Sequence, residues 1–280
     1  MKKMTILLAF FLSATLFFTA CEDDEIETIP LGPVNISLYE AIYTGGRDLY
    51  FQVYTDREDY PATYTIRYDT EESEDQLVIN LLDIQKRDYE GYETVEGPAR
   101  ASVFVGTFSP GTYSLKITVG EQTTSASLEV NPNFYAISPQ QGESLTFNHD
   151  TLRRISEGAL WGYVGYVNPS QAEVADSFRD SLESMGALPL NLAPGNYGYF
   201  QVSDTGTFTQ PIEEGVEYYR EFFKEYNGTE TELSSLVNYY ETYYRYLDFN
   251  IFWVRNSPTD MGPYAPRFID SNLNINTSAR

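Results

Sequence analysis

Between Val34 and Val130 short apolar–polar alternating runs recur between turn residues, and a period of two suits half-buried strands rather than helices. The runs are Leu49 to Tyr54, Tyr64 to Tyr68, Gln76 to Leu81, Ser102 to Val105, Tyr113 to Val119 and Thr124 to Val130. They are rich in β-branched and aromatic residues, and Thr44-Gly45-Gly46 and Ser109-Pro110-Gly111 supply turns. Each run has one apolar face to bury, so a segment built this way is expected to form an all-β sandwich over residues 34–131.

Some seven short strands in about 97 residues resemble an immunoglobulin-like or fibronectin-like domain. The chain has one Cys in all, so the Cys-Trp-Cys signature of a true immunoglobulin domain is absent. The resemblance is architectural and implies nothing specific about function.

Asn131-Pro132-Asn133 closes the last run and reads as a boundary, after which the pattern changes to that of an α+β domain over residues 134–255. Ser170-Gln171-Ala172-Glu173 fits a capping box, and Val174, Ala175, Phe178, Leu182 and Met185 then share a helical face until Gly186. A second helix is expected from Pro211 to Tyr226, with Val216, Tyr219, Phe222, Phe223 and Tyr226 inward, broken by Asn227-Gly228. Thr229 to Glu232 supplies another capping box, and Leu233, Leu236, Val237, Tyr240, Tyr244 and Leu247 make the stripe of a third helix. Strand-like runs lie at Trp161 to Val167, Asn196 to Val202 and Phe249 to Arg255, with a hairpin arm near Thr207 to Thr209. This order fits a split βαβ sandwich of the ferredoxin-like kind. Phe108-Ser109-Pro110-Gly111-Thr112-Tyr113 is echoed by Leu192-Ala193-Pro194-Gly195-Asn196-Tyr197. The echo means a second sandwich with inserted helices or two similar type II turns, and the second reading is favoured. Residues 256–280 carry Pro258, Pro263 and Pro266 among Asn and Ser, and read as a loop and loose tail.

The N-terminus has its own grammar. Met1 to Met4 is a short basic region, Thr5 to Ala20 an apolar run shorter than the ~20 residues a bilayer core needs, and the end is small: residues 1–20 read as a secretory signal. Phe18-Thr19-Ala20-Cys21 resembles the lipobox of bacterial lipoproteins, which implies that Cys21 is acylated through its sulfur and becomes the new N-terminus. Glu22-Asp23-Asp24-Glu25 resembles the acidic export signal that directs lipoproteins of Bacteroidota to the outer face of the outer membrane. Each buried lipid methylene contributes about 0.8 kcal/mol, so two or three chains anchor firmly. Residues 21–33, with Pro30, Gly32 and Pro33, read as a flexible tether.

Composition closes several function classes. With 18 basic and 41 acidic residues the formal charge is -23, which repels phosphate backbones, so nucleic acid is not an expected partner. One Cys and one His build no Cys/His zinc site, disulfide framework or CxxC redox pair. The only imidazole, His149, sits in Asn148-His149-Asp150, a solvated loop by its neighbours, and no GxSxG, Walker A, GxGxxG or HExxH string occurs. Neither a catalytic residue nor a cofactor nor a metal site is therefore expected. Carboxylates remain: glycoside hydrolysis needs only two, and their spacing in sequence does not name them. Glu213, Glu217, Glu221 and Glu225 would form an acidic ridge on the second helix, read as a solvated face paired with Arg220 and Lys224. Asp69 to Asp75 lacks calcium-loop spacing and reads as a polar hairpin end.

Tyrosine is the outlier, at 24 residues. Tyr239, Tyr240, Tyr243, Tyr244 and Tyr246 cannot all fit the stripe held by Leu233, Leu236 and Val237, so some reach the surface, where Tyr239 and Tyr243 are the candidate ligand-binding residues. Packing between bodies and against a sheet is the favoured use of the tyrosines as a group, and Trp161 and Trp253 are expected in the core. Asp150-Thr151-Leu152 resembles the O-glycosylation motif of Bacteroidota secreted proteins, making Thr151 the candidate; Ser181, in a similar string, lies on an expected helix. The sum is a non-catalytic, lipid-anchored surface protein that binds or positions a glycan or protein partner. It resembles, in anchor and layout, accessory lipoproteins of glycan uptake machines. A structural or assembly subunit and a carboxylate-dependent hydrolase are the rivals.

Overall fold

The computed structural model describes residues 28–43, 46–61, 63–73, 76–86, 96–213, 215–255 and 265–266. Residues 1–27, over which the secretory segment, the acylated Cys21 and the acidic run are expected, lie outside the described residues, as does the expected tail apart from Ala265 and Pro266.

Strand dominates. The first set is Thr28–Pro30 (β1), Val34–Tyr43 (β2), Gly46–Thr55 (β3), Tyr60–Pro61 (β4), Tyr64–Glu72 (β5), Gln76–Lys86 (β6), Glu96–Gly97 (β7), Arg100–Gly106 (β8), Gly111–Val119 (β9), Gln122–Asn131 (β10), Phe134–Ser138 (β11), Leu145–Phe147 (β12) and Thr151–Arg153 (β13). β4 and β7 pair with each other; the others form one sheet in the order β12-β2-β3-β8-β5-β6-β9-β10-β11-β13, with β1 beside β6. Its two halves join through a single parallel pair, Thr65 with Arg100. Because successive side chains point to opposite faces, Ile36, Phe51 and Val103 from one half and Ile79, Ile117 and Leu128 from the other meet in one core, and the sheet curls. Each fully buried side chain of this size contributes about 1.5–3 kcal/mol.

Two expectations shift here. Thr28, Ile29 and Pro30 pair with Gln85, Ile84 and Asp83, so these three residues are strand and not part of the flexible tether read over residues 21–33. Asn131 to Asn133 is a hairpin turn and not a boundary: Asn133 N–H donates to Asn131 Oδ1 at 3.1 Å, and β11 turns back along β10. The first sheet therefore keeps the chain until Arg153.

The remaining strands are Ala159–Tyr166 (β14), Leu188–Pro189 (β15), Gly195–Asn196 (β16), Gln201–Val202 (β17), Phe208–Thr209 (β18), Tyr218–Glu225 (β19), Leu247–Arg255 (β20) and Ala265–Pro266 (β21), with helices Ala172–Ser184 (α1) and Glu230–Tyr243 (α2). An antiparallel sheet runs β15-β19-β14-β20-β21, and β16-β17-β18 form a small separate one. Every residue of β14 is buried, since the strand is central and covered on both faces. Leu160 and Val164 face Phe178 and Leu182 of α1 and Leu233 and Val237 of α2. Trp161 faces the other way, with Phe200, Val254 and Ile42 of β2, so the first sheet shares this core. Gly162 lets β14 approach β20: a Cβ there would lie 2.0 Å from the Asn250 carbonyl oxygen, at φ +149°.

The helix expected from Pro211 to Tyr226 is, over the described residues, a loop as far as Glu217 and then strand β19. Its aromatic doublet fits an i, i+3, i+4 pattern, yet Phe222 packs with the helices and Phe223 with Phe200 and Phe208 on the opposite face, as only a strand between two apolar layers permits. The acidic ridge goes with it. Arg220 pairs instead with Asp176 at 3.0 Å, and Lys224 with Glu183, both on α1. The run expected over Asn196 to Val202 is two short strands and a turn. The first capping box forms two residues early, Asn168 with Gln171 around a 3-10 turn, while the Thr229–Glu232 box on α2 forms as read. The Pro-Gly echo is two similar turns: Tyr113 OH donates to the Ser109 carbonyl and Tyr197 OH to the Ala193 carbonyl, each at 2.9 Å. They are not both type II, for Gly195 has φ +145° and Gly111 no positive φ.

Candidate functional site

β14 ends at Tyr166, next to the first residues of its antiparallel neighbours β19 and β20. Three strand ends and the loop entering β19 thus converge. The loop is shaped by Gly215 at φ +93° and by a turn in which Val216 N–H donates to the Glu213 carbonyl at 3.3 Å. Asn250 of β20 holds it by donating to Glu213 Oε1 at 2.7 Å. On the other side α2 ends when Tyr244 N–H reaches the Tyr240 carbonyl at 2.7 Å, and Leu247 N–H bonds the Tyr244 carbonyl at 3.0 Å, which delivers Tyr246 and Asp248 to the same spot.

The result is a cleft of about 300 Å³ bounded by Tyr166, Val167, Val216, Glu217, Tyr246 and Asp248. Gly165 makes room for it, since a Cβ there would lie 3.2 Å from Val216 Cγ1 and 3.4 Å from Asp248 Cβ. Tyr246 is exposed, and Tyr166 is buried with its ring stacked on Tyr218 at 5.8 Å between centroids. On β14, two residues before Gly165, the Tyr163 hydroxyl is pushed above its ordinary range by burial first and then by the carboxylates of Glu213 and Asp248, so it stays protonated. The lining combines tyrosine, valine and two acidic side chains, the mix that orients a small polar ligand against an apolar face.

The candidate residues Tyr239 and Tyr243 lie on the outward side of α2, with 51% and 68% of their surface exposed and ring centroids 4.8 Å apart. Tyr240 between them is buried and shares a hydrogen bond of 3.0 Å with Ser181. The exposed pair thus leads along the chain to Tyr246 at the cleft. Tyr39, Tyr197 and Tyr199 instead fill the junction of the two sheets, and Trp161 and Trp253 are core, as expected. Thr151 stands in β13, half-buried and paired with Ala136; His149 is exposed. Among the described residues no group of three or more His, Cys, Asp or Glu is placed to hold a metal ion.

Sequence reasoning passed over Val216, Glu217 and Asp248, because Glu217 was read on a helix that is a loop. A sharper signal was available in Gly215 two residues before a glutamate and a run of aromatics, a turn followed by a strand.

A second cavity of about 360 Å³ lies by β16 to β18, where Asn196, Gln201 and Gln210 contribute amides. Gln210 is committed to the fold, donating to the Gly162 carbonyl at 2.7 Å.

Comparison with known protein families, with curated proteins and with solved structures finds no match.

Proposed function

We propose that the protein is a non-catalytic, lipid-anchored component of the outer membrane, facing the exterior, that binds a glycan through the cleft at Tyr246. One observation carries this reading: an exposed tyrosine ring stands in one cleft with the carboxylates of Glu217 and Asp248. A sugar has an apolar face for the ring and hydroxyls that donate to carboxylates. The anchor rests on Phe18-Thr19-Ala20-Cys21 and the acidic residues after it. Among the described residues no helix is long and apolar enough to cross a membrane, and lipid on Cys21 would supply the attachment.

We also infer the finer architecture. The curled first sheet reads as an immunoglobulin-like sandwich. The order β15-β19-β14-β20, with α1 between β14 and β15 and α2 between β19 and β20, reads as an α+β domain of split βαβ, ferredoxin-like connectivity. The small sheet β16-β18 is then an insertion between its second and third strands.

A glycan array probed with the full chain tests the binding. Saturable binding to one glycan class that falls on Tyr246→Ala is expected. Silence across the array would end this reading in favour of an assembly subunit. A hydrolase is favoured by one fact, that Glu217 and Asp248 share the cleft. Release of reducing sugar, lost in both Glu217→Gln and Asp248→Asn, would replace binding with turnover.

A further inference from the structure

We propose a second binding site, for an uncharged sugar, on the small sheet β16-β17-β18. It shares none of the residues named for the cleft at Tyr246 and does not depend on that reading.

The three strands pair so that Asn196 lies opposite Gln201, and Gln201 opposite Thr209. Residues directly opposite one another in an antiparallel sheet point to the same face, so two amides and a hydroxyl stand in one row. The next pair along, Val202 and Phe208, points the other way into the core, where the Phe208 ring stacks on Phe223 at 4.5 Å. The polar row therefore faces the second cavity, of about 360 Å³, which all three residues line.

The row is fixed by the fold itself. Ser203 N–H donates to the Thr207 carbonyl at 2.8 Å and closes the hairpin between β17 and β18. Arg153 Nε of β13 donates to the Pro194 carbonyl at 3.1 Å, which secures the chain where it enters β16. Asn196 Oδ1 accepts from Gly198 N–H at 3.0 Å, so this amide is oriented with its NH2 left to donate. Gln201 and Thr209 are exposed, and their polar groups are open to a ligand. Tyr199 stands in the wall: its hydroxyl is committed to the Glu40 carbonyl at 3.2 Å and to Tyr39 at 2.9 Å, so what it offers the cavity is the ring.

A carboxamide and a hydroxyl each donate and accept hydrogen bonds, as sugar hydroxyls do, and neighbouring hydroxyls of a pyranose match the oxygen and nitrogen of one amide. The C–H face of the same ring packs on an aromatic side chain. None of the three side chains in the row carries a charge, so the row gives an ionic ligand no counter-charge. Side chains held in place beforehand lose little freedom on binding. The volume lies at the small end of ligand sites and suits a short stretch of sugar.

The test is calorimetric titration with neutral hexasaccharides of glucose, mannose, galactose, xylose and N-acetylglucosamine. The protein titrated is the full chain, first as it is and then carrying Tyr246→Ala, which removes the ring of the cleft and isolates the second site. Saturable binding of at least one hexasaccharide by the Tyr246→Ala chain is expected. Adding Gln201→Ala, which deletes an amide, should weaken it by about fivefold or more. Adding Asn196→Asp should do the same, because the acid keeps the acceptor for Gly198 N–H and loses the donor that faces the cavity. Thermal unfolding should be unchanged in both, and if Asn196→Asp does not fold, Gln201→Ala decides alone. No binding of any of the five by the Tyr246→Ala chain would overturn the second site, and binding seen only with Tyr246 in place would assign the sugar to the cleft alone. Binding that persists undiminished in both row variants would place the sugar elsewhere and overturn it too. Binding that needs the row, with an array on which nothing depends on Tyr246, would end the cleft reading and leave this one standing.

Discussion

Glu40 Oε1 accepts a hydrogen bond from Arg154 Nε at 2.8 Å, and this pair ties β2 to the segment where the chain leaves the first sheet. The carboxylate is almost fully buried and takes two further donors, Arg47 Nη1 at 2.8 Å and Tyr135 OH at 2.9 Å. Arg47 goes on to the Ile155 carbonyl at 2.8 Å, while Tyr199 OH donates to the Glu40 carbonyl at 3.2 Å and accepts from Tyr39 OH at 2.9 Å. A charge in this position is tolerated because every oxygen has a partner.

Removing the acceptor leaves two guanidinium groups without it. Glu40→Ala is expected to cost about 3–5 kcal/mol in denaturant unfolding. Hydrogen exchange should then speed up around Tyr199 and Ile155 before the rest of the chain; a loss below about 1 kcal/mol would show that the network is ornamental to stability.

Burial holds the Glu221 carboxyl above its ordinary value of 4.5, against partial relief from Gln210. The folded state thus binds that proton more tightly than the unfolded state, and the stability it brings is present at low pH and lost as pH rises above the ordinary glutamate range. Glu221→Gln should therefore stabilise the protein at neutral pH and make no difference near pH 4, by thermal unfolding across pH. A neutral-pH loss would contradict this.

The two Tyr-to-carbonyl bonds should prove equivalent. Tyr113→Phe and Tyr197→Phe each delete one hydroxyl donor at 2.9 Å, and each is expected to lose about 1 kcal/mol. The Tyr197 site is the more buried, so any inequality should run in its direction.

Glycine at position 162 is a matter of space, and at 186 of conformation alone. Gly162→Ala places a methyl 2.0 Å from the Asn250 carbonyl and should lower expression or stability severely, by more than about 3 kcal/mol. Gly186→Ala, at φ +91° with nothing within 4 Å, should cost only about 1 kcal/mol. Comparable losses in the two would contradict the close approach of β14 and β20.

The cap of α2 gives a local test. Thr229→Ala removes the side chain that accepts from Glu232 N–H at 3.2 Å and should cost about 1 kcal/mol. Restoration of most of that loss by Thr229→Ser would separate capping from packing.

Local chemistry was enough to read β3, β5, β6, β8, β9 and β10 of the first sheet, and α1 and α2, because alternation, helical stripes and the Thr229–Glu232 box act between near neighbours; it did not reveal β2 or β11 to β13. It was also enough for the buried tryptophans. It failed at Tyr218 to Glu225, where two adjacent phenylalanines fit either period until the layers on both sides are known. It failed at Asn133, where a hairpin turn and a domain boundary use the same residues.

The cleft belongs to the same class of failure. Gly165, Glu217, Tyr246 and Asp248 come from two strands and two loops spread over more than eighty positions, and no spacing in the chain brings them together. What the sequence determined by itself was the charge balance, the lone Cys21 beside its lipobox-like neighbours, and the local periods that make each strand and helix. Which strands pair, which faces are covered and which side chains share a cleft were decided only by tertiary structure, because burial on both faces and long-range pairing are properties of elements in contact and not of any one segment.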